Sequence, residues 1–168
     1  MTISKAQLEG DFIQMVQQHQ WLVYKVCSLY ADDAEERKDL FQEILLQAWK
    51  AYPGYRGDAA ISTWLYRVSL NTAIGHRRKR SRSPDIVYPE LLHHHPEDVL
   101  TETDREQYKL LQQMIAGLPQ LDKALVLLYL EDKSYNEIAA IMGISASNVG
   151  TRLNRIKEKM KQQAQKIS

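Results

Sequence analysis

SYNEIAAIMGISASNVGTRLNRIKEK, residues 134–159, reads as two short helices joined by a tight turn. Ser134 followed by Glu137 has the spacing of a capping box, which starts a helix there. Ile138, Ala139, Ile141 and Met142 supply its apolar side, and Gly143 breaks the period as a residue able to take positive φ does at a helix end. Ser145 suits the cap of a second helix, along which Val149, Leu153, Ile156 and Met160 recur at helical spacing. With Val149 inward, Ser147, Thr151, Asn154 and Arg155 point outward and Arg152 lies on the flank. A small Ala, a Gly at the turn and an early aliphatic describe a helix-turn-helix. Its outward hydroxyls, amide and guanidinium groups suit base edges and phosphates in a major groove.

An ordinary αα corner with a solvated polar face shows the same pattern. Charge separates the two readings. Residues 145–168 carry six Lys or Arg (Arg152, Arg155, Lys157, Lys159, Lys161, Lys166) against one acid, Glu158. A solvated face mixes signs, whereas a one-signed helix points to a polyanion.

The rest of the chain is segregated in the same way. Residues 1–60 sum to −3, 61–84 to +6 with no acid, 85–106 to −6, and 107–144 to −1. The overall +1 hides two basic blocks on either side of an acidic connector, a layout for two separate contacts with nucleic acid.

Upstream, Leu8, Phe12, Met15, His19, Leu22, Val26 and Tyr30 form one helical stripe. Asp32-Asp33 end it, and Asp33 with Glu36 has capping-box spacing for the next helix. That helix buries Leu40, Phe41, Ile44, Leu45, Ala48, Trp49 and Tyr52. Asp39, Gln42, Glu43 and Gln47 occupy its polar side, by pattern alone a solvated face. Pro53-Gly54 stops it, and residues 55–58 form a loop. A third helix is expected over 61–80, with Ile61, Trp64, Leu65, Val68, Thr72 and Ala73 inward and Arg67, Asn71 and Arg78 outward. It ends in Arg77, Arg78, Lys79 and Arg80, followed by Arg82. Cations at a helix C-terminus suit the macrodipole, but five within six residues exceed that need and read as a phosphate-binding patch.

Residues 83–103 hold three of the five prolines and no helical period, as a linker does. His93-His94-His95 fall inside it with no second shell to fix a metal, and no metal or other cofactor is expected. Helix resumes over 104–116 with Leu110, Leu111, Met114 and Ile115 inward. Gly117-Leu118-Pro119 breaks it, and 120–131 gives a helix that buries Leu121, Ala124, Leu125 and Leu128.

At 168 residues the chain suits one ordinary domain or two small ones. No apolar run approaches membrane-spanning length, so no membrane insertion is expected, and the polar N-terminus lacks a signal-peptide core. The expected location is the cytoplasm. Cys27 is the sole cysteine, excluding an internal disulfide, and sits among Val23, Val26 and Tyr30 as a buried structural thiol. No phosphate loop, dinucleotide fingerprint or paired metal ligands occur, and an enzyme is not expected.

The stretches 39–80 (DLFQEILLQAWKAYPGYRGDAAISTWLYRVSLNTAIGHRRKR) and 118–160 closely resemble bacterial RNA polymerase sigma factors of the extracytoplasmic-function (ECF) group. DLFQE, YRGD, STWLYR and SYNEIAAIMGIS in this order carry the resemblance together. It implies an all-α protein of two small helical domains. Sigma domain two, with three long helices, would occupy 1–82, and sigma domain four, with four, would occupy 104–168. A flexible acidic linker, 83–103, would join them. The implied function is an alternative sigma factor that binds core polymerase and directs promoter-specific initiation. The implied partners are the β′ clamp helices and β flap of core polymerase, promoter DNA and an anti-sigma factor.

Residue by residue, the resemblance assigns Asp39, Gln42 and Glu43 to core binding, overriding the solvated-face reading. It places a flipped minus-ten base against Ala51, Tyr55, Val68 and Asn71, with Arg77, Arg78 and Arg80 on the adjacent backbone. Tyr55 offers a stacking ring and Asn71 an amide for a base edge. Ser147, Thr151, Arg152, Asn154 and Arg155 inherit the minus-thirty-five element. The family's acidic linker threads the RNA exit path, and the −6 segment is expected to mimic RNA there. Gly75 and Gly150 depart from the family, standing where a larger polar and a basic residue are common. A stand-alone helix-turn-helix regulator, a DNA-processing enzyme and a protein-interaction module are the competing readings.

Overall fold

A computed structural model describes residues 2–79 and 102–167, and among them the only regular structure is helical. The chain divides into two units at residue 83. The first contains α1 (Lys5–Tyr30), α2 (Ala34–Ala51), a single 3₁₀ turn (Tyr52–Gly54) and α3 (Ile61–Lys79). The second contains α4 (Glu102–Ala116), α5 (Gln120–Leu130), α6 (Tyr135–Met142) and α7 (Ala146–Ile167). The linker residues 83–101, Arg80, Arg82, the three consecutive histidines and most of the −6 segment lie outside the described residues.

Caps set the boundaries in the first unit. Ser4 accepts a hydrogen bond from the Gln7 amide and opens α1. Asp33 accepts from the Glu36 amide at 2.7 Å, and the Glu36 carboxylate returns the contact to the amide of Asp32 at 2.8 Å. The expected capping box is therefore displaced by one residue on its return arm. The three long helices pack mutually around Leu22, Val26, Tyr30, Leu40, Ile44, Ala48, Leu65 and Leu70. Cys27 lies in this core, and burial pushes its thiol up to about 12.

One expected face is rotated. The buried positions of α3 are Leu65, Tyr66, Ser69, Leu70, Ala73 and Ile74, while Trp64, Val68 and Thr72 sit half-buried at its margin. Tyr66 and Ser69 carry polar groups into the core, so the buried face lies further round the helix than the aliphatic period alone indicates. The core accommodates the Tyr66 ring edge-on to Trp21 and turns Val68 and Asn71 toward the surface.

In the second unit Ile115, Leu118, Ala124, Leu125, Leu128, Ile138, Ile141, Val149, Leu153 and Ile156 form the core. Leu121, expected inward, is 43% exposed because it lies in the first turn of α5, ahead of the buried run 123–128. Helix α4 begins at Glu102, two residues before the expected start. The Ser134–Glu137 capping box forms in full, at 3.1 and 2.8 Å. Gly143 closes α6 in the left-handed conformation (φ 70°), and Ser145 accepts from the Asn148 amide to open α7.

Candidate nucleic-acid interface

In the first unit, the end of α2 and the loop before α3 are built on aromatic rings. Phe12 meets Trp49 at 5.0 Å and Tyr52 at 5.3 Å between centroids. Trp64 then meets Tyr52 at 6.1 Å and Tyr55 at 5.4 Å. Burial, then the Asp11 carboxylate, lifts the Tyr52 phenol above its ordinary value. The Tyr55 hydroxyl donates to the carbonyl of Ala59, and Gly57 turns the intervening loop at φ 79°. Tyr55 is thus a half-buried ring held by a tilted contact with Trp64 and by its hydroxyl.

Ala51 and Asn71 are exposed, and Val68 is half-buried. Thr72 donates its hydroxyl back to the Val68 carbonyl at 2.7 Å, so it is spent on its own helix. A groove of about 510 Å³ runs along α2 and α3, lined by Glu43, Gln47, Asn71, Thr72, Gly75 and His76. It takes in Asn71 but not Ala51, Tyr55 or Val68. Asp39 and Gln42 are exposed on α2 and Glu43 is half-buried. Arg77 and Arg78 fall in the last turn of α3. Gln47, which sequence reasoning left on the solvated side, donates to Glu43 at 3.0 Å inside the groove, and their i, i+4 spacing was the available signal.

In the second unit, α7 presents Ser147, Thr151, Asn154 and Arg155 to solvent and keeps Arg152 half-buried. Thr151 donates to the Ser147 carbonyl at 3.0 Å, which leaves its oxygen as an acceptor. The tail beyond is cationic, with Lys159, Lys161 and Lys166 exposed. Lys157 is different. Its ammonium sits 4.2 Å from the Tyr129 ring centroid, and hydrogen bonding to Tyr129 holds its pKa above the ordinary value. The Tyr135 ring rests against Gly150, a contact that sequence reasoning missed.

Residues 15–83 match the Sigma-70 region 2 family and residues 108–160 match Sigma-70, region 4. The RNA polymerase sigma-H factor of Pseudomonas aeruginosa is 30% identical over 159 residues, covering 88% of this chain and 82% of the relative. The ECF RNA polymerase sigma-E factor of Escherichia coli is 30% identical over 176 residues, covering 95% and 91%. The chain belongs to the ECF sigma factors.

This sigma factor binds core RNA polymerase and promoter DNA and directs transcription initiation. A stand-alone helix-turn-helix regulator would leave the region 2 match unexplained. Solved structures agree in fold. CnrH, in complex with the cytosolic domain of CnrY, aligns with a TM-score of 0.68 at 19% identity, covering 95% of this chain and 91% of CnrH. The Bartonella quintana sigma factor RpoE, in complex with the anti-sigma factor NepR, gives 0.68 at 18% identity, covering 90% and 95%. Among the described residues no helix is long and apolar enough to cross a membrane.

Proposed function

We propose that the two units divide the work of promoter recognition. Asp39, Gln42 and Glu43 on α2 dock on the β′ clamp helices of core polymerase. Ala51, Tyr55, Val68 and Asn71 receive a flipped minus-ten base, with Arg77, Arg78 and Arg80 on the neighbouring phosphates. Ser147, Thr151, Arg152, Asn154 and Arg155 read the minus-thirty-five element, and the same unit meets the β flap. Residues 1–82 and 104–168 are the two functional domains, joined by 83–103. The chain carries no catalytic step of its own and works in the cytoplasm beside polymerase. An anti-sigma factor, the kind of partner seen with the Bartonella quintana relative, holds it in reserve.

The observation that carries this reading is α7 itself. A capped helix-turn-helix turns hydroxyl, amide and guanidinium groups to solvent on a helix with six cations and one acid. In-vitro transcription with core polymerase on a promoter library tests it. Arg155→Ala and Asn154→Ala should lose dependence on the upstream element, and Asn71→Ala on the downstream one. Unchanged element preference in all three would refute the assignment.

A further inference from the structure

Lys157 is an exposed cation whose side chain is nonetheless held in place. Its ammonium stands 4.2 Å from the centroid of the Tyr129 ring, and hydrogen bonding to the Tyr129 hydroxyl, with a smaller share from Tyr135, favours its charged form. Tyr135 lies across Gly150, whose missing side chain leaves the ring its seat. Three helices thus converge on one ammonium: Tyr129 comes from the end of α5, Tyr135 from the first turn of α6 and Lys157 from α7.

An ammonium only donates, so phenol oxygens that face it accept and their O–H hydrogens are directed elsewhere. Tyr129 and Tyr135 are 40% and 38% exposed, which opens the cluster to solvent. Glu137, in the same turn of α6 as Tyr135, is engaged with the Ser134 amide at 2.8 Å. One cation and two hydroxyl donors suit a phosphodiester, which carries a single negative charge on oxygens that only accept. A lysine already held by its neighbours also loses little freedom on binding. The place fits as well as the chemistry. Gly150, Asn154, Lys157 and Lys161 recur at i, i+4, i+7 and i+11, one flank of α7, so Lys157 follows Asn154 by about one turn. In a helix-turn-helix the first helix crosses the DNA backbone while the second enters the groove, and Tyr135 opens that first helix.

We infer that Lys157, with the Tyr129 and Tyr135 hydroxyls, forms a seat for one backbone phosphate of the promoter beside the upstream element. The seat contributes affinity and register and reads no base. The inference rests on the reading of α7 as the helix that meets the upstream element.

The test is binding of the full chain, assembled with core polymerase, to promoters in which upstream phosphates are replaced one at a time by neutral methylphosphonates. Lys157→Met, which keeps an apolar stem for the Tyr129 ring, should lose about threefold to tenfold on unmodified DNA. It should lower the slope of log K against log salt by about 1 and leave base preference intact. One methylphosphonate should weaken the wild-type chain by a similar factor and the Lys157→Met chain not at all. Tyr129→Phe with Tyr135→Phe keeps both rings and should lose about threefold, again at that one phosphate. Arg155→Ala is the separate probe of the underlying helix. If Lys157→Met retains the wild-type response to every methylphosphonate while Arg155→Ala loses upstream preference, the inference is overturned and α7 remains the upstream reader. If Lys157→Met weakens assembly with core polymerase but not DNA binding, the cluster serves an acidic protein surface, and the inference is likewise overturned. If neither Arg155→Ala nor any upstream methylphosphonate has an effect, the reading of α7 falls and takes the inference with it.

Discussion

The Tyr135 ring packs on Gly150 so closely that a Cβ at that position would stand 3.3 Å from its Cε2. Tyr135 opens α6 and Gly150 lies in the first half of α7, so one ring bridges the two helices of the helix-turn-helix at a glycine. The glycine costs helix propensity of about 1 kcal/mol relative to Ala. The ring is 38% exposed and needs to shift by only a few tenths of an ångström. Gly150→Ala is therefore expected to stabilise the chain by about 0.5 kcal/mol, most of the propensity gain surviving the small displacement. Urea denaturation measures it; destabilisation beyond about 1 kcal/mol would show that the ring is fixed.

The reciprocal bonds of Ser134 and Glu137 satisfy two amides that the start of α6 would otherwise leave open. Ser134→Ala should cost about 1 kcal/mol, measured as a shift in denaturation midpoint at unchanged slope. Ser134→Asp should restore most of it, since an aspartate accepts at the same place and suits the helix dipole.

Cys27 gives a pH prediction with a definite sign. Its ordinary value is 9.0, and burial raises it to about 12 in the folded state. Above pH 9 the unfolded thiol loses its proton while the folded one keeps it, so unfolding is favoured as pH rises. This group's contribution is fully present below pH 9 and is lost through the window from 9 to about 12, at about 1.4 kcal/mol per pH unit. Cys27→Ala should flatten that part of the stability profile, whatever it costs in packing. A native chain that reacts with a thiol reagent at pH 8 as fast as the unfolded one would contradict the burial argument.

Tyr55 separates two uses of one side chain. Its hydroxyl ties the loop through Ala59, and its ring lies beside Trp64. Under the proposed minus-ten role the ring carries the stacking, at about 1–3 kcal/mol per base. Tyr55→Ala should weaken promoter opening by that amount, while Tyr55→Phe retains stacking and loses only the loop tie. Permanganate footprinting of the melted region distinguishes them, and equal defects in the two variants would assign the effect to the loop.

Affinity for promoter DNA should fall steeply with salt, because the exposed cations of α7 replace condensed counterions. Charge removal at Lys161 and Lys166 should reduce the slope of log K against log salt by about 1–2 and leave sequence preference intact. Arg155→Ala, if it contacts a base, should cost about 1–3 kcal/mol and relax preference at one upstream position. Filter binding of the holoenzyme across a salt series measures both.

The helix-turn-helix was legible because its signals are local. Ser134, Glu137, Gly143 and Ser145 each act within one turn of themselves, and each takes its expected place. The period of α7 was equally clear, with Val149, Leu153 and Ile156 buried opposite a polar face. Helix α3 was harder because its buried face includes Tyr66 and Ser69, which carry no apolar signal. Leu121 misled for the opposite reason, being apolar in a first turn that the core does not cover. The groove was not legible, since the meeting of Gln47 with Asn71 and His76 depends on how two helices cross. Glycine supplied the faintest clue. Gly75 and Gly150 stood out only as departures from the family, and in the structure one leaves a groove open and the other admits a ring.

The row of rings from Trp49 through Phe12 and Tyr52 to Trp64 and Tyr55 carries two of the three tryptophans of the chain. Trp64 is the immediate neighbour of Tyr55, so under the proposed minus-ten role a nucleobase arriving on that phenol would alter the surroundings of an intrinsic fluorophore. On that proposal the molecule would carry an optical gauge of DNA strand separation that needs no dye and reads the event where it occurs.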